Sequence, residues 1–206
     1  MSNTATTLSC RRINGRVWVC HSFVKKYIIF FFFPENFFKT DGLQVIVIAN
    51  EIPFVGDDPQ TIQEKAEKVD FLKDHWPYNL EDLVRILDLC FTWKSEDEDN
   101  REVVLLGGDI HIGVTSQIHD KETDLTLTHL TTSPVTNHVT KFFPDLTGDI
   151  NERYSYQHLP LGETSRNYAM INISIEPELS VTAQLEPVST NMFKIKDWVS
   201  DDEEVD

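Results

Sequence analysis

Two short, uninterrupted apolar runs constrain the fold of this chain more than any other feature. The runs are Gln44–Ala49 and Glu102–Leu106, and both contain adjacent β-branched residues. Runs of this length are typical of strands that are buried on both faces of a sheet. Between them, apolar residues recur at helical spacing from Leu80 to Phe91, which predicts a helix over 80–93. Strand, helix and strand in this order predict an α/β core.

The remaining segments predict a more varied set of elements. Asn79 precedes the predicted helix and is a favourable N-cap residue. The polar stretch 61–72 is compatible with a surface helix, whereas 138–166 is predicted to be irregular. Four later segments alternate apolar with polar residues or are rich in threonine, and they predict two hairpins. Their ranges are 111–118 with 125–130, and 168–175 with 179–185.

The charge balance restricts the partners of this chain. It has 34 acidic and 18 basic residues, for a formal net charge of -16. Such a chain is not expected to bind nucleic acid or an anionic membrane, because both need basic patches. Its three cysteines have no disulfide or zinc-finger spacing, which is typical of a reducing compartment and predicts a cytoplasmic protein. One of them, Cys90, falls in the helical pattern and is predicted to be core.

The amino-terminal region differs from the rest of the chain. Tyr27–Phe33 is a phenylalanine-rich run that is far shorter than the about 20 apolar residues of a membrane span. It predicts a buried strand, with two alternatives: that residues 1–40 are foreign to the domain, or that 17–38 tethers the chain to a membrane. We therefore divide the chain into 1–40, a domain over 41–190, and an acidic tail over 191–206.

The segment Glu102–Gly113 is the main candidate for chemistry. The predicted strand ends in Gly107 and Gly108, which permit close backbone approach, and Asp109 and His111 follow. Ligands gather at the carboxyl ends of strands in α/β sheets. Alternate residues of an extended segment share one side, so both groups are expected to face one cavity. Carboxylate and imidazole together suit manganese, iron or zinc, whereas a hydrogen-bonded turn is the structural alternative.

Four sequence blocks occur in a characteristic order along the chain. They are Val45–Pro53, Asp74–Tyr78 with the helix after it, Gly107–His111 and Leu130–Asn137. This order resembles that of the PhoD-like phosphatases, members of the calcineurin-like metallophosphoesterase superfamily. The third block is similar to the Gly-Asp-Val-His block of that family, and the fourth is similar to its Ser-Pro-x-x-Asn loop. The resemblance covers roughly residues 43–187.

The resemblance implies a partial metallophosphoesterase fold, an α/β fold of the α+β sandwich type with mixed sheets flanked by helices. It also implies a hydrolase in which two divalent ions, drawn from manganese, iron, zinc or calcium, activate a water against a phosphoester. His111 would be a metal ligand, and Asp109 would be a second ligand or a phosphate-facing group. Trp76 and Asn137 are candidates for the substrate pocket, with packing of Trp76 against the core as its alternative role.

The other metal-ligand blocks of the superfamily, which should precede Gly107–His111, have no counterpart in the right order. Gly56–Asp58, Gly148–Glu152 and Asn137–His138 are out of order or lack a required residue. We therefore expect a truncated domain with too few ligands for full activity, and self-association through uncovered strand edges. The alternative function is a non-catalytic acidic module that binds basic partners.

Overall fold

The computed structural model describes residues 9–13, 17–21, 38–39, 42–108, 110–132, 145–160, 166–174 and 176–188. Its first two strands, β1 (Ser9–Ile13) and β2 (Val17–His21), pair with each other in antiparallel orientation. The phenylalanine-rich run and the acidic tail lie outside the described residues, so the predictions made for them stay predictions.

A six-stranded mixed sheet forms the centre of the fold. Its spatial order is β3-β4-β6-β5-β8-β7, in which β3, β4 and β6 run parallel and the remaining neighbours pair antiparallel. The strands are β3 (Val45–Ala49), β4 (Glu102–Gly107), β5 (Val114–Asp120), β6 (Thr126–Thr131), β7 (Thr147–Asp149) and β8 (Tyr154–Pro160). This mixed sheet with its helices confirms the predicted fold class.

The hairpins follow the sequence prediction, with one correction. Strands β5 and β6 form the first hairpin, and β9 (Asn167–Ser174) pairs with β10 (Ser180–Pro187) in the second. The prediction that 138–166 is irregular is wrong for 147–160, which contains β7 and β8. Three alternate residues of β8, Tyr154, Tyr156 and His158, are buried, so a period-2 signal exists inside a stretch that is polar on average.

The helices also differ in detail from the prediction. Helix α1 (Pro59–Ala66) begins after Asp58, whose carboxylate accepts a hydrogen bond from Thr61 N at 3.0 Å. A separate 3₁₀ helix follows at Asp70–Asp74, so 61–72 is not one helix. Helix α2 (Leu80–Ser95) forms as predicted. The side chain of Asn79 does not cap it, because the amide donates instead to the carbonyls of Lys73 and His75.

The hydrophobic core lies between α2 and one face of the sheet. Cys90 is fully buried there, as predicted, and burial raises the pKa of its thiol to about 12. The helix contributes Leu83, Leu87, Cys90 and Phe91, and the sheet contributes Ile46, Val103, Leu105, Leu127 and Ile118. Burial of each such side chain contributes about 1.5–3 kcal/mol. This packing holds the parallel strands in place.

A buried carboxylate closes the β5–β6 turn. The fully buried side chain of Asp120 accepts hydrogen bonds from Arg153 Nε at 2.9 Å and from Arg153 Nη2 at 2.7 Å. It also accepts from the backbone N–H of Glu122 and the hydroxyl of Thr123. The Arg153 bonds hold the pKa of Asp120 at about 2, below its usual value.

Replacing Asp120 by asparagine is expected to lower the free energy of unfolding by about 1–2 kcal/mol at pH 7. Because the folded-state pKa is depressed, the carboxylate stabilises the fold above about pH 4, and this stability is lost as the pH falls towards 2. The variant should therefore lose less stability over that pH range, as measured by urea unfolding. Asp124→Asn, at a 97% exposed side chain in the same turn, is the control. An equal effect of both changes would contradict the prediction.

Candidate functional site

Three loop segments meet at one edge of the sheet, because β3, β4 and β6 are parallel and end there together. Backbone hydrogen bonds join the segments to one another. Asn50 N donates to Leu106 O at 2.9 Å, and Gly108 N donates to Glu51 O at 3.1 Å. On the other side, Thr132 N donates to Gly107 O at 2.9 Å. The edge is where an α/β sheet places its ligands.

The glycine pair allows these segments to approach closely. A β-carbon at Gly107 would lie 2.5 Å from Pro53 Cα and 2.9 Å from Pro53 N. A β-carbon at Gly108 would lie 3.2 Å from the carbonyl oxygen of Thr132. The loop 50–58 therefore sits directly on the end of β4, which only a residue without a side chain permits at position 107.

His111 lies just beyond this contact, in an uncommon backbone conformation. Its φ is 57°, in the left-handed region that residues other than glycine rarely adopt, and its side chain is exposed. Strand β4 ends at Gly107, and residues 110 and 111 form a bend. The segment is therefore not extended at 110–111, whereas the predicted shared orientation of Asp109 and His111 stays a prediction. Asp109 itself lies outside the described residues, as does Asn137.

A cavity of about 690 Å³ opens beside His111. Its walls come from the loop 51–57, helix α1, the 3₁₀ helix with the residues around it, and the segment 110–112. Six titratable residues contribute to the wall, and the rest of the lining is mainly aliphatic. The titratable residues are Glu51, Asp57, Lys65, Asp74, His75 and His111.

The donor types on this wall suit a divalent cation, because carboxylates outnumber the one lysine, which makes an ion pair with Asp57. A preformed metal site requires more than suitable donor types, because its ligands must also lie close together. Among the described residues, which exclude Asp109, no group of three or more His, Cys, Asp or Glu side chains is placed to hold a metal ion. His111 is thus the single predicted metal ligand whose position the structure gives.

Trp76 does not line the cavity, although His75 and Pro77 on either side of it do. It is 4% exposed and belongs to the hydrophobic core. Its ring lies on that of Phe54, with 4.6 Å between ring centroids. Of the two roles predicted for Trp76, the structure places it in the core-packing one, beneath the loop that forms the cavity wall.

Two buried histidines support the same loop from below. His129 is fully buried on β6, and its Nε2 accepts a hydrogen bond from Phe54 N at 3.3 Å. His158 on β8 lies 2.9 Å, through Nε2, from the carbonyl oxygen of Gly56. Because a carbonyl only accepts, this nitrogen carries the proton, and the other ring nitrogen accepts from the Ser116 hydroxyl at 2.7 Å.

Burial favours the neutral form of both imidazoles. It lowers the pKa of His129 to about 3, with a smaller contribution from His158, and it also lowers the pKa of His158. Strand register aligns the two, since Ser116 pairs with His129 on one side and with His158 on the other. The contacts of His158 span 42 and 102 residues, so no local sequence pattern indicates them.

Comparisons with known proteins return no match: no family model, no curated protein and no solved structure matches this chain. Among the helices of the described ranges, none has the length and apolar character needed to cross a membrane.

Proposed function

We propose that this chain forms the carboxyl-terminal part of a metal-dependent phosphoesterase of the PhoD-like type. One observation carries the proposal: the carboxyl end of a central parallel strand delivers two glycines and then His111, in a left-handed conformation, to the wall of a 690 Å³ cavity. Strained non-glycine conformations cluster at functional sites. The resemblance of Gly107–His111 to the family block supports the role of a metal ligand for His111.

In this proposal His111 binds a divalent ion through an imidazole nitrogen, and Asp109 supplies an oxygen to the same centre. The bound ion supplies Lewis-acid polarisation of the phosphoryl oxygen and a water of lowered pKa. The exposed imidazole is accessible from the cavity side, and the glycine pair holds its segment against the loop 50–58.

The decisive test is hydrolysis of phenyl phosphate and of a diphenyl phosphodiester by the purified chain with manganese, iron, zinc or calcium added. His111→Ala is expected to lower metal-dependent kcat/KM by at least about 100-fold, since changing even a residue that orients a metal ligand costs about 10–100-fold. His119→Ala is the matched control, because that imidazole lies on β5 and does not line the cavity. It should keep its activity within about twofold, a change of under 0.5 kcal/mol.

Both variants must first give the circular dichroism spectrum of the parent chain. Folded parent chain without metal-dependent turnover would contradict the proposal for this chain on its own and favour the acidic binding module. That module predicts salt-sensitive binding to a basic partner, since salt screens exposed charges. Turnover that survives in His111→Ala would show instead that His111 is not a ligand.

A further inference from the structure

We infer that the cavity beside His111 binds the alcohol part of the substrate, and that this part is a neutral hydrocarbon group such as an alkylphenol. The inference rests on the proposed phosphoesterase function, because it assigns a substrate class to the same site. It is carried by the composition, size and charge of the cavity wall.

The wall is built mainly from aliphatic side chains that four separate segments bring together. They are Ile52 from the loop after β3, Ile62 from α1, Leu72 from the 3₁₀ helix, and Ile110 and Ile112 from the segment after β4. Water in contact with such a wall is released when a hydrocarbon enters, which contributes about 25 cal/mol for each Å² of apolar surface removed from water. An apolar ligand is therefore favoured over a hydrated one.

Size and position connect this wall to the reacting centre. A volume of about 690 Å³ lies in the range of about 300–1,000 Å³ that is usual for small-molecule sites, and it exceeds the needs of a phosphate alone. Ile110 and Ile112 flank His111 in the chain, and all three residues line the cavity. An ester that is held at His111 through its phosphoryl group thus has aliphatic side chains next to its alcohol part.

An exposed aromatic side chain completes the apolar wall. Phe71 is 63% exposed although it lines the cavity, and its ring centroid lies 6.0 Å from that of His75. The 3₁₀ helix that carries it has no buried residue, so this phenylalanine does not contribute to the core. Exposed apolar surface beside a concave site is typical of ligand contact.

The charges of the wall restrict further the class of alcohol part that the cavity can accept. The wall carries three carboxylates, those of Glu51, Asp57 and Asp74, and one lysine. That lysine, Lys65, makes an ion pair with Asp57. An alcohol part with its own phosphates or carboxylates, such as a nucleotide, would meet like charge there. A neutral hydrocarbon avoids that cost, which leaves the phosphoryl group as the only anion that the centre must neutralise.

The first experiment measures binding without any hydrolysis. The full chain, labelled at isoleucine δ1-methyl groups, is titrated with 4-butylphenol and followed by NMR. The methyl resonances of Ile52, Ile62, Ile110 and Ile112 are expected to shift together and to saturate. Those of Ile46 and Ile118, which lie in the core under α2, are expected to stay in place. Absence of saturable shifts at the four cavity isoleucines would overturn the inference.

The second experiment compares 4-butylphenyl phosphate with phenyl phosphate, whose leaving groups have nearly equal acidity. The butyl compound is expected to have a kcat/KM at least about 10-fold higher, as apolar contacts in a pocket discriminate by about 10–200-fold. Leu72→Gln should abolish this preference and the NMR shifts, because its amide replaces part of the aliphatic wall. Leu159→Gln is the matched control, because Leu159 is 47% exposed on β8 and does not line the cavity.

The two measurements separate the inference from the function on which it rests. Turnover of both esters at equal efficiency, without methyl shifts, would overturn the role of the cavity and leave the phosphoesterase proposal standing. Saturable shifts without metal-dependent turnover would overturn the phosphoesterase proposal, and with it the assignment of this ligand as part of a substrate. Shifts together with a preference that Leu72→Gln removes would support both.

Discussion

Alanine at position 107 is expected to lower the free energy of unfolding by about 3 kcal/mol, a large effect for one methyl group. The new β-carbon would lie 2.5 Å from Pro53 Cα and 3.2 Å from His129 Nε2. The first of these neighbours is backbone, so the loop 50–58 must move as a unit. That movement would break the 3.3 Å hydrogen bond between Phe54 N and His129, which removes a further stabilising contact of about 1 kcal/mol.

The same substitution at Gly56 is the matched control for this prediction. A β-carbon there would have no neighbour within 4 Å, and its φ is not in the left-handed region. Alanine at position 56 is therefore expected to be neutral or to stabilise the fold by up to about 1 kcal/mol, since it reduces the freedom of the unfolded chain. Urea unfolding at pH 7 measures both variants. Similar midpoints for Gly107→Ala and the parent chain would show that the loop moves without cost.

The sequence predicts those elements of the fold whose signals are local. The β-branched run Val45–Ala49 and the helical spacing of Leu83, Leu87 and Cys90 each identify an element without knowledge of its neighbours. The strand β8 is not predicted, because its buried residues alternate with polar ones that dominate the average character of the stretch. A period-2 pattern of only three inward residues is a weak signal beside many turn-forming neighbours.

The candidate site is predictable in its position but not in its shape. The glycine pair after a buried strand indicates close backbone approach, and the contact of Gly107 with Pro53 agrees with that expectation. The partner of the contact is 54 positions earlier in the chain, and nothing near Gly107 indicates it. The left-handed φ of His111 is equally hidden, because the buried strand and the glycine pair before it do not indicate that conformation.

Acid is expected to destabilise the fold through His129. This imidazole is fully buried, and burial lowers its pKa from 6.5 to about 3. The unfolded chain therefore binds a proton below about pH 6.5 that the folded chain does not bind until about pH 3. The free energy of unfolding should fall as the pH decreases across this window, by about 2 kcal/mol between pH 6.5 and 5 and by about 4–5 kcal/mol at pH 3.

His129→Gln isolates this contribution, since an amide oxygen can still accept from Phe54 N but does not titrate. Its free energy of unfolding should depend less on pH between 6.5 and 5, by about 1.4 kcal/mol for each pH unit. Part of the dependence should remain, because burial lowers the pKa of His158 as well. His119→Gln, at an imidazole on β5 that is 37% exposed, is the control for the exchange itself. Equal pH dependence of the parent chain and His129→Gln would mean that the fold tolerates a protonated imidazole beneath the loop 50–58. In that case the two histidines do not hold this loop in place by remaining neutral.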